Sequence, residues 1–480
     1  MYGKGKSSLV VLMNTEKFRR QLRHESEQWW KDGLIDADLY EKLSQRYQFD
    51  RLEHEASHRF VTILMGLGAI LLGLGAITFV AANWQVWSRA VRVALLLSCF
   101  VGVNAGGFYL WRRPTTQRLG HGLLLLGALL LGANMGLMSQ MFNQSGELYE
   151  LLLIWGLGVT AMAYSLRLQS LGVLALILFG MGYIGGWASW STWHEFTSTQ
   201  TIVQHTPLIM ALVFVPLAYW CRSRPLFGLS AVSLSIALVF NLRPLSTWSS
   251  DLSSSGWIAA IAFILPPALL WSYSDRIWQR SEARSPAPFE LLSRSLAIVF
   301  LAVFFYFFAF QTWWNVSGRL PQSNLVWNWQ PLIDAVCLSI VAGLGWMQLR
   351  SRLGQWKSQS HVINSGVVGL MLVVSSVLLI GHQQVGLVGA FAFNLLLFGL
   401  AIALIRDGLA LGDRQTFWGG MVLLVLSIIS RMLEYNTGLL LKSIVFALCG
   451  AGVIAAGLWF ERNVKPTSVR SIPSPQEEPQ

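Results

Sequence analysis

The chain has 480 residues, of which 54% are hydrophobic and only 12% are charged, and its mean hydropathy is positive. An ordinary soluble domain carries about 25% charged residues, so the composition excludes that class and predicts an all-α integral membrane protein. The net charge of +11 does not indicate nucleic-acid binding, because the basic residues lie in short clusters between apolar runs. The expected partner is the lipid bilayer, and no nucleic acid is expected.

The four cysteines indicate neither a disulfide framework nor a thiolate metal site. Each lies in or at the end of a separate apolar segment, with no CxxC spacing. They are Cys99, Cys221, Cys337 and Cys449. Such cysteines are typical of small buried hydrophobes, and no cofactor is expected.

Residues 1–59 are polar and predict a short cytosolic helical hairpin. Gly33 is suited to the left-handed position that ends a first helix, and Asp36 is a candidate N-cap for a second. Residues 15–50 are the candidate surface for a membrane or cytosolic protein partner.

The polar head also contains the sequence pattern of a zinc motif. His54, Glu55 and His58 form a literal HExxH, the pattern in which two histidines bind zinc and the glutamate acts as general base. They lie on a polar, charge-mixed helix, and no further metalloprotease motif follows. We therefore interpret them as a solvated helix face and expect no metal there.

From Phe60 onward the chain consists of apolar segments, judged against the roughly 20 residues that cross the hydrocarbon core. About 14 transmembrane helices are predicted. They run near 60–83, 90–111, 119–141, 148–166, 169–190, 206–221, 225–241, 256–273, 291–313, 329–349, 361–380, 387–405, 416–434 and 438–460. The head is thus followed by five spans in 60–190, nine spans in 191–460, and a Pro- and Ser-rich tail at 461–480 that is predicted to be disordered in the cytosol.

Basic residues in the connections indicate the orientation. Alternate connections hold fourteen Lys and Arg residues, whereas the intervening connections hold three. The first set is Arg112, Arg113, Arg118, Arg167, Arg222, Arg224, Arg276, Arg280, Arg284, Arg350, Arg352, Lys357, Arg406 and Arg414, and the second is Arg89, Arg243 and Arg319. Four more basic residues lie inside the span ends. Counting them reduces the excess of basic residues in the first set of connections but does not reverse it. The alternation predicts that both termini lie in the cytoplasm.

Small residues at four-residue spacing predict close helix contacts. The candidates are Ala69 and Gly73; Gly102 and Gly106; Ala128, Gly132 and Gly136; and Gly182 and Gly186. Pro216 and the pair Pro266 and Pro267 lie inside spans and are expected to kink or interrupt them.

The stretch from Gly132 to Trp155 interrupts apolar helix with amides and carboxylates. Five polar residues fall within eleven positions: Gln140, Asn143, Gln144, Glu147 and Glu150. Polar groups at membrane depth are expensive, so they are candidates for ligand binding. The alternative is structural, because Glu147 and Glu150 would complement the dipole of the following helix, with Asn143 or Ser145 as its cap.

Further polar residues are predicted at the same outer level of the membrane. They are Asn83, Gln85, Asp334, Arg431 and Glu434. Arg431 and Glu434 are spaced i, i+3, so the simpler interpretation is a local ion pair. The functional interpretation is a polar, outward-opening vestibule shared with the Gly132–Trp155 stretch.

Three segments of the sequence carry a family resemblance: WWKDGLIDADLYEKL, FVAANWQVW and GANMGLMSQMFNQSGELYELLLIW. They resemble the bacterial membrane proteins that carry domain of unknown function 2157, over roughly Trp29 to Trp190. The third segment in that family often has an aromatic residue and a histidine after the glutamine, where this chain has Phe142 and Asn143. The resemblance implies a bacterial inner-membrane protein and assigns no reaction, cofactor or catalytic residue.

The leading hypothesis is a multi-pass inner-membrane protein that binds or transports a small polar or amphipathic ligand through the outward-facing vestibule. One alternative is a lipid-linked or envelope-glycan enzyme using Glu147 or Glu150. Another is a non-transporting scaffold whose head recruits a partner. The lack of a large soluble catalytic domain, a P-loop or a paired-carboxylate motif disfavours the enzyme, and no internal repeat identifies a carrier.

Overall fold

A computed structural model describes residues 22–47, 71, 78, 82, 84–144, 146–189, 198–244, 255–275, 289–314, 330–353, 359–435 and 438–463. The regular secondary structure of these residues is helical, and they contain no β-strand. The predicted all-α class is therefore confirmed. The chain divides after Leu97 into two compact units.

The helices follow one another with short connections wherever both ends are described. They are α1 (22–31), α2 (Ala37–Tyr47), α3 (Arg89–Trp111), α4 (Gln117–Met141), α5 (Leu148–Leu166), α6 (Gln169–Ala188), α7 (Ser198–Gln204), α8 (Thr206–Trp220), α9 (Arg224–Leu242), α10 (Ser255–Ser272), α11 (Phe289–Phe308), α12 (Gln330–Leu353), α13 (Gln359–Ile380), α14 (Leu387–Leu411), α15 (Arg414–Glu434) and α16 (Leu439–Asn463). A 3₁₀ turn at Gln311–Trp313 follows α11, and a single helical turn at His382–Val385 precedes α14.

The N-terminal unit contains the predicted hairpin of α1 and α2. Gly33 adopts φ 72°, the left-handed conformation expected after the first helix. The Asp36 carboxylate accepts the backbone N–H of Leu39 at 2.9 Å, which makes it the N-cap of α2. The rings of Trp30 and Tyr40 stack with their centroids 5.3 Å apart and hold the two helices together.

Eleven helices of the described residues are long and apolar enough to cross a membrane: α3, α4, α5, α6, α9, α11, α12, α13, α14, α15 and α16. Two further apolar helices, α8 and α10, are shorter. Each of these thirteen coincides with a predicted span. The predicted first span, 60–83, lies almost wholly outside the described residues, so the structure gives eleven candidate spans where the sequence predicted fourteen.

The core of the larger unit is built around α10, which packs against α9, α11, α12 and α13. Phenylalanine rings fill the space between α10, α11 and α14. Phe263 and Phe308 meet edge to face at a centroid distance of 5.0 Å, and Phe304 and Phe393 do so at 5.4 Å. α10 continues as helix through Pro266 and Pro267, so of the predicted kink or interruption the interruption does not occur there.

The surfaces that face away from this core are apolar. Val303, Leu395 and Phe391 are 65%, 66% and 71% exposed, respectively. None of the residues in the candidate span of α16 is buried. Apolar surface on this scale would cause aggregation in water, whereas it suits a hydrocarbon environment.

The predicted small-residue contacts are confirmed where the structure describes both helices. A Cβ atom on Gly132 would lie 2.3 Å from the Trp155 ring, and Gly182 and Gly186 are also crowded. A Cβ atom on Gly102 or Gly106 would meet no described residue within 4 Å, whereas the adjacent Gly107 faces α4; Ala69 and Gly73 lie outside the described residues. The four-residue spacing identifies residues on one helix face, but it does not identify which face meets a neighbour.

Candidate functional site

The Gly132–Trp155 stretch forms the turn between α4 and α5. Four of its polar residues are exposed: Gln140, Asn143, Gln144 and Glu147. Asn143 has φ 49°, and the N-cap of α5 is Glu147, whose side chain makes no capping hydrogen bond. The prediction that Asn143 caps α5 is therefore wrong, because the chain makes its left-handed turn at Asn143 and enters the helix four residues later. Ser145 lies outside the described residues.

Glu150 connects this turn to α7. Its Oε1 atom accepts a hydrogen bond of 2.8 Å from the Thr199 hydroxyl. The neighbouring Tyr149 is buried and interacts with the side chains of Thr199 and Gln200. The first turn of α5 thus holds the start of α7.

The end of α7 is fixed by a buried asparagine of α9. Asn241 donates from Nδ2 to the backbone carbonyl of Gln204 at 2.7 Å and to that of Val203 at 3.3 Å. Its Oδ1 atom accepts a hydrogen bond of 2.8 Å from the hydroxyl of Tyr183 on α6. Both polar atoms of the Asn241 amide are therefore used to position the junction between α7 and α8.

The residue at this junction, His205, contacts Asp334 of α12. His205 Nδ1 lies 2.6 Å from Asp334 Oδ1; the imidazole is 27% exposed and the carboxylate is 0% exposed. The backbone N–H of Leu208, in the first turn of α8, also approaches this carboxyl group. A buried carboxylate requires such partners, because an unpaired buried charge is strongly unfavourable.

Three polar atoms at the junction make no hydrogen bond to any described residue. They are Asp334 Oδ2, Gln204 Oε1 and Gln204 Nε2. The Gln204 side chain, like that of Asp334, is fully buried. Nearly all buried polar groups in proteins are hydrogen-bonded, so these three atoms are candidates for contact with a water, ion or ligand.

The helix that starts at the junction is irregular. α8 begins with a turn at Thr206–Ile209, continues as π-helix over Met210–Phe214, and returns to α-helix at Val215–Trp220. Pro216 lies in the turn after the π-helical segment, so the predicted irregularity near this proline is confirmed. The short polar helix α7 and the apolar helix α8 meet at His205.

A second polar group lies at the end of α15. Arg431 donates to Glu434 and to the backbone carbonyl of Ala309, and Glu434 Oε1 accepts the backbone N–H of Gln311 at 2.7 Å. The predicted i, i+3 pair is therefore confirmed. It also ties α15 to the chain that leaves α11.

The structure brings only some of the predicted site residues into polar clusters. Asp334, Arg431, Glu434 and Glu150 each have a partner from a distant part of the chain. Gln85 is exposed in the N-terminal unit, and Asn83, His54, Glu55 and His58 lie outside the described residues. Within the described residues, no group of three or more His, Cys, Asp or Glu side chains is placed to hold a metal ion.

Four residues at the α7–α8 junction were not predicted as site residues from the sequence: Gln204, His205, Asn241 and Tyr183. Gln204 and His205 fall in a segment predicted to be a connection, and Asn241 ends a predicted span. One signal was available, because the run GlnHisThrPro at 204–207 places a proline just inside a helix start. That signal predicts a helix boundary and does not predict burial.

A surface groove of about 430 Å³ lies elsewhere in the larger unit. It is lined by Arg224, Pro225, Gly228, Leu291, Leu292 and Ser295. Arg224 and Asn241 are at opposite ends of α9, so this groove is separate from the α7–α8 junction.

Comparisons with known proteins support the resemblance carried by the three sequence segments. No curated protein and no solved structure shows significant similarity to the chain. The family match covers α2 to α5 and ends in the first turn of α6, short of α7 and of every later helix. Residues 27–172 match the family model described as predicted membrane protein (DUF2157).

Proposed function

We propose that this chain is a multi-pass bacterial inner-membrane protein that binds, and moves across the bilayer, a small polar ligand with a cationic or N–H-donating group. The observation that carries this proposal is the buried Asp334 carboxylate, whose second oxygen has no hydrogen-bond partner among the described residues. The fully buried Gln204 amide beside His205 supplies one further acceptor and one donor.

The charge of the junction favours a cation or a donor group over an anion. Asp334 Oδ2 belongs to a buried carboxyl group whose other oxygen contacts His205. A bound cation or N–H donor would satisfy this oxygen. An anion at this position would add an uncompensated negative charge.

The irregular apolar helix α8 supports transport over a purely structural role. Membrane transporters commonly place binding residues where an apolar helix breaks, because the freed backbone groups and the local mobility are useful there. The break between α7 and α8 lies beside His205, and a π-helical segment follows within one turn. π-helical turns occur frequently at functional sites.

We further propose fourteen spans with both termini in the cytoplasm, counting α8, α10 and residues 60–83. Contacts between helix ends support this arrangement, because residues predicted on the same side meet each other. The outer pairs are Glu150–Thr199, Tyr183–Asn241, His205–Asp334 and Gln311–Glu434, and the inner pairs are Tyr219–Asp275 and Asn364–Asp407. The outer pairs would then lie at the same end of the helices as the predicted vestibule.

The test is cation-dependent thermal stabilisation of the purified protein. Sodium, potassium, ammonium, ethanolammonium and choline chlorides would be compared at constant ionic strength. A ligand at 100 times its Kd stabilises the folded state by about 2.7 kcal/mol, so a specific cation raises Tm in a saturable way. Asp334→Asn should abolish this response. Asp407→Asn is the matched control, because Asp407 is hydrogen-bonded to Asn364 on another pair of helices and should respond like the wild type.

Two results would count against the proposal. One is an absence of saturable stabilisation by every cation in the wild-type protein. The other is an equal response in the wild type and in Asp334→Asn, which would place the binding elsewhere.

A further inference from the structure

Arg431 is an almost fully buried arginine in the last turn of α15, with 7% of its surface exposed. Only one of its three guanidinium nitrogens makes hydrogen bonds to described residues. Nη1 donates to both Glu434 Oε2 and the backbone carbonyl of Ala309. Nε and Nη2 are buried and have no partner among the described residues.

The two unused nitrogens lie on the same edge of the guanidinium plane. Nε–H and Nη2–H point in parallel, and this edge is the one that binds the two oxygens of a carboxylate or phosphate. Such bidentate pairs are among the strongest hydrogen bonds in proteins. Because Glu434 and the Ala309 carbonyl hold Nη1 in place, the edge formed by Nε and Nη2 is presented in a fixed orientation.

A second side chain with an unused polar atom adjoins Arg431. Asn394 of α14 donates from Nδ2 to the carbonyl oxygens of Ala309 at 2.9 Å and Ala390 at 2.8 Å, whereas its Oδ1 makes no hydrogen bond to a described residue. Arg431 and Asn394 therefore meet at the carbonyl oxygen of Ala309. The ring of Phe310, 4.2 Å from the guanidinium carbon, covers one face of the arginine.

The surrounding charge limits the ligand. Glu434 already neutralises Arg431, and it is held in place because its Oε1 atom accepts the Gln311 N–H at 2.7 Å. A dianion would therefore leave a large excess of negative charge in a buried region, so a monoanion fits better. Asn394 Oδ1 accepts only donors, so the ligand should also carry a hydroxyl or amine near its anionic group.

We propose that Arg431 and Asn394 form a binding site for a monoanionic oxyanion group, either a carboxylate or a phosphodiester. Arg431 Nε and Nη2 bind two of its oxygens, and Asn394 Oδ1 accepts a hydrogen bond from a neighbouring hydroxyl or amine of the ligand. A phosphodiester of this kind is present in phospholipid headgroups, and a carboxylate is present in many soluble metabolites. The site differs in charge and in residues from the His205–Asp334 junction, so it does not depend on the proposed function.

The experiment measures the Tm of the purified full-length protein against three probes at constant ionic strength. The probes are acetate, dimethyl phosphate and dihexanoyl phosphatidylglycerol, each compared with chloride. In the wild type, at least one probe should raise Tm in a saturable way. A response to acetate or dimethyl phosphate identifies a soluble anion as the ligand class, and a response to phosphatidylglycerol alone identifies a lipid headgroup.

Arg431→Lys keeps the positive charge and removes the edge formed by Nε and Nη2. It should weaken the apparent affinity for the active probe about tenfold, because one charge-assisted hydrogen bond is lost. Arg294→Lys is the matched control, because Arg294 also pairs with a glutamate on its own helix, Glu290, and it should bind like the wild type. Asp334→Asn should also keep the anion response, which separates this site from the cation site.

Asn394→Leu provides an independent variant should Arg431→Lys yield no folded protein. It should weaken binding of the hydroxyl-bearing phosphatidylglycerol or, where acetate is the active probe, of glycolate, which adds a hydroxyl to acetate. Acetate and dimethyl phosphate carry no donor for Asn394 Oδ1, so this variant should bind them like the wild type. The proposal is overturned if no probe stabilises the wild type, since water alone then satisfies Arg431. It is equally overturned if the folded Arg431→Lys variant binds every active probe, or the folded Asn394→Leu variant binds the hydroxyl-bearing probes, as tightly as the wild type.

Discussion

His205 Nδ1 lies 2.6 Å from Asp334 Oδ1, although 129 positions separate the two residues in the chain. The contact joins the break between α7 and α8 to α12, and the carboxylate it contains is fully buried. A buried carboxylate without a partner is unstable. The free-energy cost of burying Asp334 therefore depends on His205, and the effect of His205 on stability depends on Asp334.

A double-mutant cycle on this pair should therefore show strong coupling. We expect Asp334→Leu and His205→Leu each to lower the free energy of unfolding, and the double variant to lose about 0.5 to 3 kcal/mol less than the sum of the two. Denaturant unfolding of the purified protein in micelles measures all three variants. Additivity within about 0.3 kcal/mol would show that the pair is not energetically linked.

Glycine substitutions should distinguish contact faces from lipid-facing ones. Gly132→Ala places a methyl group 2.3 Å from the ring of Trp155, whose indole nitrogen donates to the Ala128 carbonyl at 2.8 Å. We expect a loss of about 1 to 3 kcal/mol, because the ring must move. Gly106→Ala is the matched control and should cost nothing, because a methyl group there meets no described residue within 4 Å and alanine favours helix. Similar Tm values for both variants would contradict the packing described for α4 and α5.

The two carboxylates at the start of α5 should differ in their contribution to stability. Glu150→Leu removes the acceptor of the Thr199 hydroxyl and should cost about 1 kcal/mol. Glu147→Leu changes an exposed side chain that makes no capping hydrogen bond, so the effect should be within about 0.5 kcal/mol. The comparison is made by thermal unfolding, and a larger effect at Glu147 would reveal an interaction of that side chain with another part of the chain.

Asp413 should make the stability of α15 depend on pH. Its carboxylate caps this helix, accepting the Gln415 N–H at 3.2 Å and the Thr416 hydroxyl at 2.6 Å. The Thr416 hydrogen bond holds the pKa of Asp413 below its ordinary value of 3.8. A carboxyl group with a lowered pKa contributes stability that is complete above its unfolded-state pKa and is lost as pH falls through its folded-state pKa.

Asp413→Ala should accordingly cost about 1 kcal/mol at pH 6, and the difference from wild type should shrink as the solution is acidified below pH 3.8. Tm measured across this range gives the comparison. Thr416→Val removes the largest cause of the lowered pKa and should flatten the dependence. A cost that stays constant with pH would exclude the carboxylate cap.

The proposed topology can be tested with reporter fusions in the connections. Fusions after Arg118, Arg224 and Lys357 should report the cytoplasm, because these connections hold the basic clusters. Fusions after Thr197, Ser250 and Ser317 should report the opposite side. Two or more swapped positions would contradict the fourteen-span arrangement.

The helices were largely predictable from the sequence, because spanning a bilayer requires long apolar segments and leaves few alternatives. α5 covers 148–166, the same bounds that hydropathy predicts. Asp334 and Arg431 were also predicted as site candidates, since an ionisable residue inside an apolar segment is conspicuous. Their long-range partners were not predictable, because a contact such as His205–Asp334 depends on how helices pack and leaves no periodic signal.

The same limit explains the errors. Gly102 and Gly106 have the spacing of a packing face, yet α3 turns the adjacent Gly107 toward α4. Asn143 has the residue type of an N-cap, yet it adopts φ 49° and forms the turn. The local sequence pattern was present in both cases. It did not predict the rotation of α3 about its axis or the residue at which α5 begins, because these depend on tertiary contacts.

The π-helical segment Met210–Phe214 sets the rotation of one end of α8 against the other. Each residue turns an α-helix by about 100°, and a π-helical turn holds one residue more than an α-helical turn. Removing one residue from this segment would let it continue as α-helix with little net rotation, because the π-helical turn already absorbs one extra residue. His205 and Tyr219 would then keep their directions relative to each other. A one-residue gap at 210–214 in an alignment of homologous chains should therefore be compatible with the His205–Asp334 contact, whereas a gap elsewhere in α8 would rotate His205 away from Asp334 by about 100°.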